Sequence, residues 1–187
     1  MQGFFELARL NIGVRIYVGA FKMTLQNIPF MLKFLHIEVD MKIVIASDLH
    51  GSAISAKRII DIANGSPLVL LGDIYNHGPR NPLPEGYAPM EVARLLNGYV
   101  RDNPGKLVVI KGNCDSEVDQ MISDFTFQDY HEIVTTRSFF FSHGHRFNFE
   151  MPPAHLKKGD VCFYGHEHVP YIKENKGVYF INTGSVS

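Results

Sequence analysis

The amino-acid sequence predicts an α/β protein with two β-sheets. Three short apolar runs, KIVIAS, LVLL and LVVI, alternate with segments of helical spacing, as expected of a sheet whose faces are covered by helices. The last third of the chain contains further strand-like runs joined by polar or glycine-containing turns, which predict a second sheet. With 187 residues, the chain is long enough for one well-buried core and too short for two comfortable domains.

The first forty residues differ in character from the rest. Their apolar and aromatic side chains follow no sustained strand or helix period, whereas Met41 opens a regular pattern. This region is either an upstream extension or an interfacial helix that touches a membrane. Its basic residues do not gather on one face, as an interfacial helix requires, so we favour the extension. We therefore divide the chain into an N-terminal extension, residues 1–40, outside the core, and one domain, residues 41–187.

Two helices are predicted between the three apolar strands. The first has four apolar residues at helical spacing: Ala56, Ile59, Ile60 and Ala63. Asn64-Gly65 then supplies a left-handed stop. A long loop rich in proline and glycine follows the second strand, and Pro89 opens the second helix, because the first helical turn tolerates proline. An apolar stripe continues that helix through Val92, Leu95, Leu96 and Tyr99.

The second sheet is predicted from five runs: EIVTT, SFFFS, VCFYG, YIKE and GVYFIN. The three consecutive phenylalanines of the second run lie within a strand that must be buried. We interpret them as sheet core and not as a platform for stacking nucleic-acid bases.

Composition excludes several classes of protein. Eighteen Lys and Arg residues against 19 Asp and Glu give no overall field for long polyanions, so duplex nucleic acid is not an expected partner. Two cysteines without a CxxC pair argue against a disulfide framework and a zinc knuckle, and favour a reducing, cytoplasmic setting. No apolar run is long enough to span a bilayer, because the N-terminal region is interrupted by Arg9, Arg15, Lys22 and Lys33.

Polar side chains follow five of the predicted strands at the point where each strand ends. They belong to the segments SDLHG, LGD, KGN, FSHGH and YGHEH, and are Asp48, His50, Asp73, Asn113, His143, His166 and His168. The carboxyl ends of strands line the ligand crevice in open α/β sheets, so these side chains should converge. A single DxH or HxH pair is a weak signal, but seven candidate ligands after five separate strands predict one cluster.

The chemistry of this cluster suits divalent metal ions. Carboxylates, imidazoles and an amide oxygen bind borderline-hard ions without needing a thiolate. In an extended segment, residues i and i+2 point to one side, so we expect Asp48 to converge with His50, and His166 with His168. Asp73 is the central candidate to bridge two ions. Such a pair activates water for phosphoryl transfer, so the sequence predicts phosphoester hydrolysis.

The ordered motifs SDLHG, LGD, KGNCD, SHGH and YGHEH resemble those of calcineurin-like metallophosphoesterases. The segments NHGPRN and PEGYAP narrow the resemblance to small bacterial phosphodiesterases of that family, over the chain from Met41 onward. The resemblance implies a two-sheet α/β sandwich and a dinuclear centre, often manganese, and we expect two Mn²⁺ ions. It assigns one ion to Asp48, His50, Asp73 and His168. It assigns the other to Asp73, Asn113, His143 and His166.

The resemblance also implies which residues carry out catalysis: Asp48, Asp73, Asn113, Cys114, Asp115 and His143. The family's usual signature here is Gly-Asn-His-Asp or Gly-Asn-His-Glu, so Cys114 occupies the place of a histidine that assists the leaving group. A neutral thiol is a weak hydrogen-bond donor, and we expect a preference for phosphodiesters with good leaving groups over unactivated monoesters. We do not expect Cys114 to act as a nucleophile.

Substrate contacts are predicted for Asn113 and Cys114, and for His77 and Arg80 in the long loop after Asp73. That loop is either a phosphate clamp or an ordinary solvated loop. His145 either supports a metal ligand or occupies a turn. The expected partner is a small phosphodiester, with no duplex nucleic acid and no membrane, and the chain could form a homo-oligomer.

Two rival functions and one departure from the family remain. The fold also occurs in a retromer coat subunit that works through protein contacts, but such scaffolds tend to lose ligands and none of the seven is lost here. A zinc site that only stabilises the fold takes four ligands, and cysteine is usually prominent among them. Seven candidate ligands are too many for such a site. The chain stops at Ser187, where family members continue with further strands. We therefore expect the second sheet to be truncated and to end in an unpaired edge.

Overall fold

The computed structural model describes residues 5–10, 14–18 and 41–187. A first sheet has the strand order β1-β2-β3-β4-β5-β6, and a second has the order β10-β11-β9-β8-β7. The strands of the first sheet are β1 Phe5–Leu10, β2 Val14–Val18, β3 Met41–Ala46, β4 Leu68–Leu70, β5 Leu107–Ile110 and β6 Phe127–Gln128. Those of the second are β7 His131–Val134, β8 Ser138–Phe141, β9 Val161–Tyr164, β10 Tyr171–Asn175 and β11 Val178–Asn182.

The central strands of both sheets are parallel, so several strand ends point in one direction. Strands β2 to β6 run parallel, and β1 pairs antiparallel with β2. In the second sheet β8, β9 and β11 are parallel, and β7 and β10 add antiparallel edges. This arrangement confirms the predicted α/β fold with two sheets.

The helices are α1 Ala53–Ala63, α2 Pro89–Asp102 and a short α3 Glu117–Met121. The side chain of Ser52 caps α1 by accepting a hydrogen bond from the Ser55 amide, and Asn64 ends it in a left-handed conformation, as the sequence predicts. Pro89 lies in the first turn of α2. Three residues of the predicted apolar stripe, Val92, Leu96 and Tyr99, are buried.

The core has three layers because both faces of the first sheet and both faces of the second are covered. Side chains alternate along β3: Ile45 points into the cluster between the sheets, and Val44 packs in the cluster beneath α1 and α2. On the outer face of the second sheet, Phe140 and Phe180 form a third cluster. Phe141 lies between the sheets, so the phenylalanine run is core on both faces, as predicted.

Four elements were not predicted from the sequence. They are β1 and β2 in the first forty residues, and α3 and β6 after β5. Each has only two to six residues, which is too short for a sustained period to reveal. Strand β2 pairs with β3 from Val14 opposite Met41 to Val18 opposite Ile45. The division between an extension, residues 1–40, and a domain, residues 41–187, stays a prediction.

Within the described ranges, no helix is long and apolar enough to cross a membrane.

Candidate metal centre

The predicted ligands meet at one end of the sandwich. The segments that follow β3 and β4 are joined by a hydrogen bond from the Asp48 amide to the Gly72 carbonyl, at 3.1 Å. Those that follow β8 and β9 are joined by a hydrogen bond from the Gly165 amide to the His143 carbonyl, at 2.8 Å. A hydrogen bond between His143 Nδ1 and the Leu71 carbonyl then connects the two sheets. Side chains from five strand ends therefore face one centre.

A first group of ligand atoms comes from Asp48, His50 and His168. The Nε2 atoms of His50 and His168 lie 3.1 Å apart, and Asp48 Oδ1 lies 3.2 Å from His168 Nε2 and 3.5 Å from His50 Nε2. His50 Nδ1 lies 2.8 Å from the carbonyl oxygen of Asn76, which can only accept. A neutral His50 therefore carries its proton on Nδ1, which leaves the Nε2 lone pair for an ion. Ligand atoms about 2.1 Å from one ion stand about 3 to 3.4 Å apart, so this group fits a metal.

A second group comes from Asn113, His143 and Asp73. His143 Nε2 lies 3.0 Å from Asn113 Oδ1 and 3.5 Å from Asp73 Oδ2. His143 Nδ1 donates to the Leu71 carbonyl at 2.7 Å, so a neutral His143 also has its lone pair on Nε2. Asp73 Oδ2 is in addition 3.8 Å from His50 Nε2. Asp73 thus lies between the two groups, in the place expected of a bridging carboxylate.

His166 lies beside the second group, and its role as a ligand stays a prediction. Its ring centroid is 5.0 Å from that of His143, and its backbone amide donates to Asp48 Oδ2 at 3.0 Å. In residues 41–187, three groups of histidine, cysteine or carboxylate side chains bring their ligand atoms within 4.8 Å of one another, and none includes His166. They are Asp48, His50 and His168; His50, Asp73 and Cys114; and Asp48, Asp73 and His143.

The centre stabilises positive charge although it is buried. Asp48, His50, Asp73 and His143 are each at most 2% exposed. Burial alone would raise the pKa of Asp48, but hydrogen bonds with His168 and His50 outweigh it and lower that pKa. Burial would lower the pKa values of His50 and His143, yet hydrogen bonds to Asp48 and Asp73 respectively raise both. Such a field favours divalent ions.

The backbone of the centre corrects one expectation. Asp48 with His50, and His166 with His168, were expected on one side of an extended segment. All four instead adopt left-handed conformations, with φ of 59°, 47°, 68° and 59°, and Asp73 does so with φ of 54°. Each such residue costs about 1 to 3 kcal/mol, which the surrounding structure must offset. The side chains converge through tight turns, because aspartate and histidine tolerate this conformation better than most residues.

Cys114 lies next to the centre with a protonated thiol. Burial, followed by the negative charge of Asp73, raises the pKa of Cys114 to about 12. A thiol of that pKa is a poor nucleophile at neutral pH, and the absence of nucleophilic attack by Cys114 stays a prediction. Its backbone amide donates to Asp73 Oδ1 at 2.8 Å, and its sulfur is 3.3 Å from Asn113 Nδ2.

A cleft of about 510 Å³ opens beside the ligands. One side is formed by metal-site residues, and the other by the loop after Asp73, including Arg80. His77 packs its ring edge-on against Tyr87, with centroids 5.4 Å apart, and its predicted contact with substrate stays a prediction. His145 has its ring 5.4 Å from that of His143, and burial lowers its pKa to about 4. Five further lining residues were not predicted as site residues: Asn76, Gly78, Pro79, Asn81 and Glu167.

The fold and the ligand groups together define a metallophosphoesterase. A family model described as calcineurin-like phosphoesterase superfamily domain matches residues 41–187, and the chain belongs to that family. The predictions of this family and of an enzyme are confirmed. The family implies divalent metal ions, and the two ligand groups are the candidates to hold them.

The chain is similar to Phosphodiesterase YfcE of Escherichia coli (strain K12). The two are 43% identical over 152 residues, which are 79% of this chain and 80% of that protein. A solved structure of YfcE, described as a phosphoesterase from E. coli, matches with a TM-score of 0.71 and 41% identity. That match covers 77% of this chain and 79% of the other. The resemblance to small bacterial phosphodiesterases is thereby confirmed.

Proposed function

We propose that the protein is a metal-dependent phosphodiesterase that hydrolyses small phosphodiesters at a dinuclear centre. One observation carries the proposal: Asp73 Oδ2 lies 3.8 Å from His50 Nε2 and 3.5 Å from His143 Nε2, and both nitrogens carry the lone pair when the rings are neutral. A single carboxylate between two sets of neutral and anionic ligands suits two adjacent ions. The 43% sequence identity to YfcE, a protein named as a phosphodiesterase, supports a diester as the substrate.

The candidate ligands have distinct roles in the proposed reaction. Two divalent ions, when bound, activate a water molecule and neutralise the charge that develops around phosphorus. Asp48, His50 and His168 form one ligand group, and Asn113 with His143 form the other. The resemblance adds His166 to the second group. Asp73 contributes to both.

Cys114 and Arg80 act on the substrate itself. Both line the cleft, where Arg80 binds a non-bridging phosphate oxygen through its fork of N–H donors. In residues 41–187, the guanidinium of Arg80 has no ion pair, so it is available to an anion. Cys114 lies on the leaving-group side, and its thiol is only a weak donor. This combination favours diesters whose leaving group departs without strong proton donation.

The proposal is tested by metal content and substrate class together. We expect purified protein to bind two transition-metal ions, with Mn²⁺ proposed as the activating metal, and to hydrolyse bis(p-nitrophenyl) phosphate faster than p-nitrophenyl phosphate. Chelation should abolish turnover, and added Mn²⁺ should restore it. Folded protein that takes up no metal would instead favour the rival scaffold role.

Substituting Arg80 by glutamine should weaken substrate binding. A hydrogen bond to a charged group contributes about 1.5 to 3 kcal/mol, so we expect KM for the diester to rise about tenfold or more. Arg137→Gln is the matched control, because Arg137 lies in the turn before β8, where the strand begins and not where the ligands lie. Equal KM values for Arg80→Gln and the unsubstituted protein would remove Arg80 from the substrate site.

Several finer statements remain predictions of this proposal. They are a cytoplasmic location, a homo-oligomer, and the lack of a role for membranes and duplex nucleic acid. The physiological substrate must be sought among small phosphodiesters, by measuring their turnover by the Mn²⁺-loaded protein.

A further inference from the structure

We infer that Asp115 is a positioning residue that holds Asp73 between the two ligand groups, and that it does not touch the substrate. This inference rests on the proposed function. The resemblance placed Asp115 among the catalytic residues. Its contacts in the structure assign it to the backbone that carries Asp73.

Asp115 accepts three backbone hydrogen bonds from two different strand-end loops. Its Oδ2 accepts from the amides of Asp73 and Gly112, at 2.8 and 2.7 Å, and its Oδ1 accepts from the amide of Ile74 at 2.8 Å. Asp73 and Ile74 follow β4, whereas Gly112 follows β5. One carboxylate therefore ties together the two loops that supply Asp73 and Asn113.

The two aspartates bind each other's loops reciprocally. Asp115 accepts from the amide of Asp73, and Asp73 Oδ1 accepts from the amide of Cys114 at 2.8 Å. This use of Oδ1 leaves Asp73 Oδ2 directed at His50 and His143. Asp115 thus fixes the main chain of Asp73, and the Cys114 amide fixes which oxygen of its carboxylate faces the metals.

The loops that carry Asp73 and Gly112 approach each other very closely. A Cβ added to Gly112 would lie 2.1 Å from Asp73 Oδ1 and 2.4 Å from the Asp73 nitrogen, so only glycine fits there. The backbone of Asp73 is also left-handed, with φ of 54°. A non-glycine residue keeps that conformation only where its surroundings enforce it, and the Asp115 carboxylate bonds directly to the amides on either side of the Asp73 α-carbon.

The burial of Asp115 argues against direct contact between this residue and the substrate. The residue is 7% exposed and does not line the cleft, although its neighbours Asn113 and Cys114 do. Both carboxylate oxygens are taken by backbone donors. Its influence on the reaction must therefore pass through Asp73.

The test compares Asp115→Asn with Asp160→Asn. Asp160 is also a buried aspartate, 2% exposed, that accepts backbone amides, from Ser138 at 2.8 Å and Lys157 at 2.9 Å. It lies where β8 and β9 begin, at the end of the second sheet opposite to the ligands. Both substitutions replace one acceptor oxygen by a donor that opposes a backbone N–H. Only the first should disturb Asp73.

Mn²⁺ affinity is measured by calorimetry, and the coupling between bound ions by electron paramagnetic resonance. We expect Asp115→Asn to weaken Mn²⁺ binding about 10- to 100-fold, as is typical when a residue supporting a metal ligand is lost. The signal of spin-coupled ions should give way to that of isolated ions. Asp160→Asn should keep both the affinity and the coupled signal, even if thermal unfolding in chelator shows that the two variants lose similar stability.

The inference is overturned if Asp115→Asn keeps the affinity and coupling of the unsubstituted protein, or if Asp160→Asn loses them equally. Should Asp115→Asn not fold, Asp115→Glu takes its place. Its extra methylene displaces the Asp73 turn while keeping the charge, so unaltered Mn²⁺ binding by Asp115→Glu also overturns the inference. Unsubstituted protein that binds only one ion would contradict the dinuclear centre, and the role of Asp115 would then be judged from affinity for that ion.

Discussion

Asp73→Asn is expected to lower kcat/KM for a phosphodiester by about 10³-fold or more, with no loss of the fold. A metal centre supplies several kcal/mol of charge stabilisation in the transition state, and every 1.36 kcal/mol is a factor of ten in rate. Asparagine keeps the shape of the side chain but removes its charge. If its amide oxygen stays with the Cys114 amide, its NH₂ group points at His50 and His143 in place of Oδ2.

The measurement pairs steady-state kinetics in excess Mn²⁺ with metal titration and circular dichroism. Asp61→Asn provides the matched control, since Asp61 is an exposed aspartate on α1, outside the ligand groups and the cleft. We expect Asp73→Asn to lose affinity for both ions, because its carboxylate lies beside both groups. A variant that keeps near-normal turnover with two bound ions would show that Asp73 is not the bridge.

The ligands could be predicted from the sequence because residue type and strand position are local signals. Asp48, Asp73 and Asn113 each follow an apolar strand, and a parallel sheet brings such ends together whatever the loops do. The stop at Asn64 is equally local, since a left-handed cap depends on one residue. These features needed no knowledge of distant contacts.

The rest depends on contacts between distant segments. Three donors bind Asp115, and two of them lie about forty residues away in the chain, so no sequence period reports them. The left-handed turns at Asp48 and His50 are stabilised by such contacts, including the bond from the His50 amide to the Asp73 carbonyl at 2.8 Å. Residue type alone also could not separate Arg80, which faces the cleft, from His77, which packs on Tyr87.

The position of Cys114 links the metal centre to substrate choice. The same residue supplies a backbone donor to Asp73 and a side chain to the cleft, so a substitution that keeps the main chain changes only the second role. Burial raises the pKa of the Cys114 thiol, and a neutral thiol is a weak donor, so we expect the leaving group to receive little help as its bond to phosphorus breaks. The chemistry at this position should therefore decide which esters react.

Cys114→His is expected to raise turnover of esters with poor leaving groups far more than that of esters with good ones. General acid catalysis by a positioned histidine contributes about 10²- to 10⁴-fold, and its benefit grows as the leaving group becomes more basic. The measurement is kcat/KM for an alkyl and a p-nitrophenyl ester, as diester and as monoester. Cys114→Ser is the matched control and should keep turnover, because no thiolate attacks phosphorus. An unchanged ratio of alkyl to p-nitrophenyl ester hydrolysis in Cys114→His would rule out Cys114 as the determinant, and inactive Cys114→Ser would point to a direct role for sulfur.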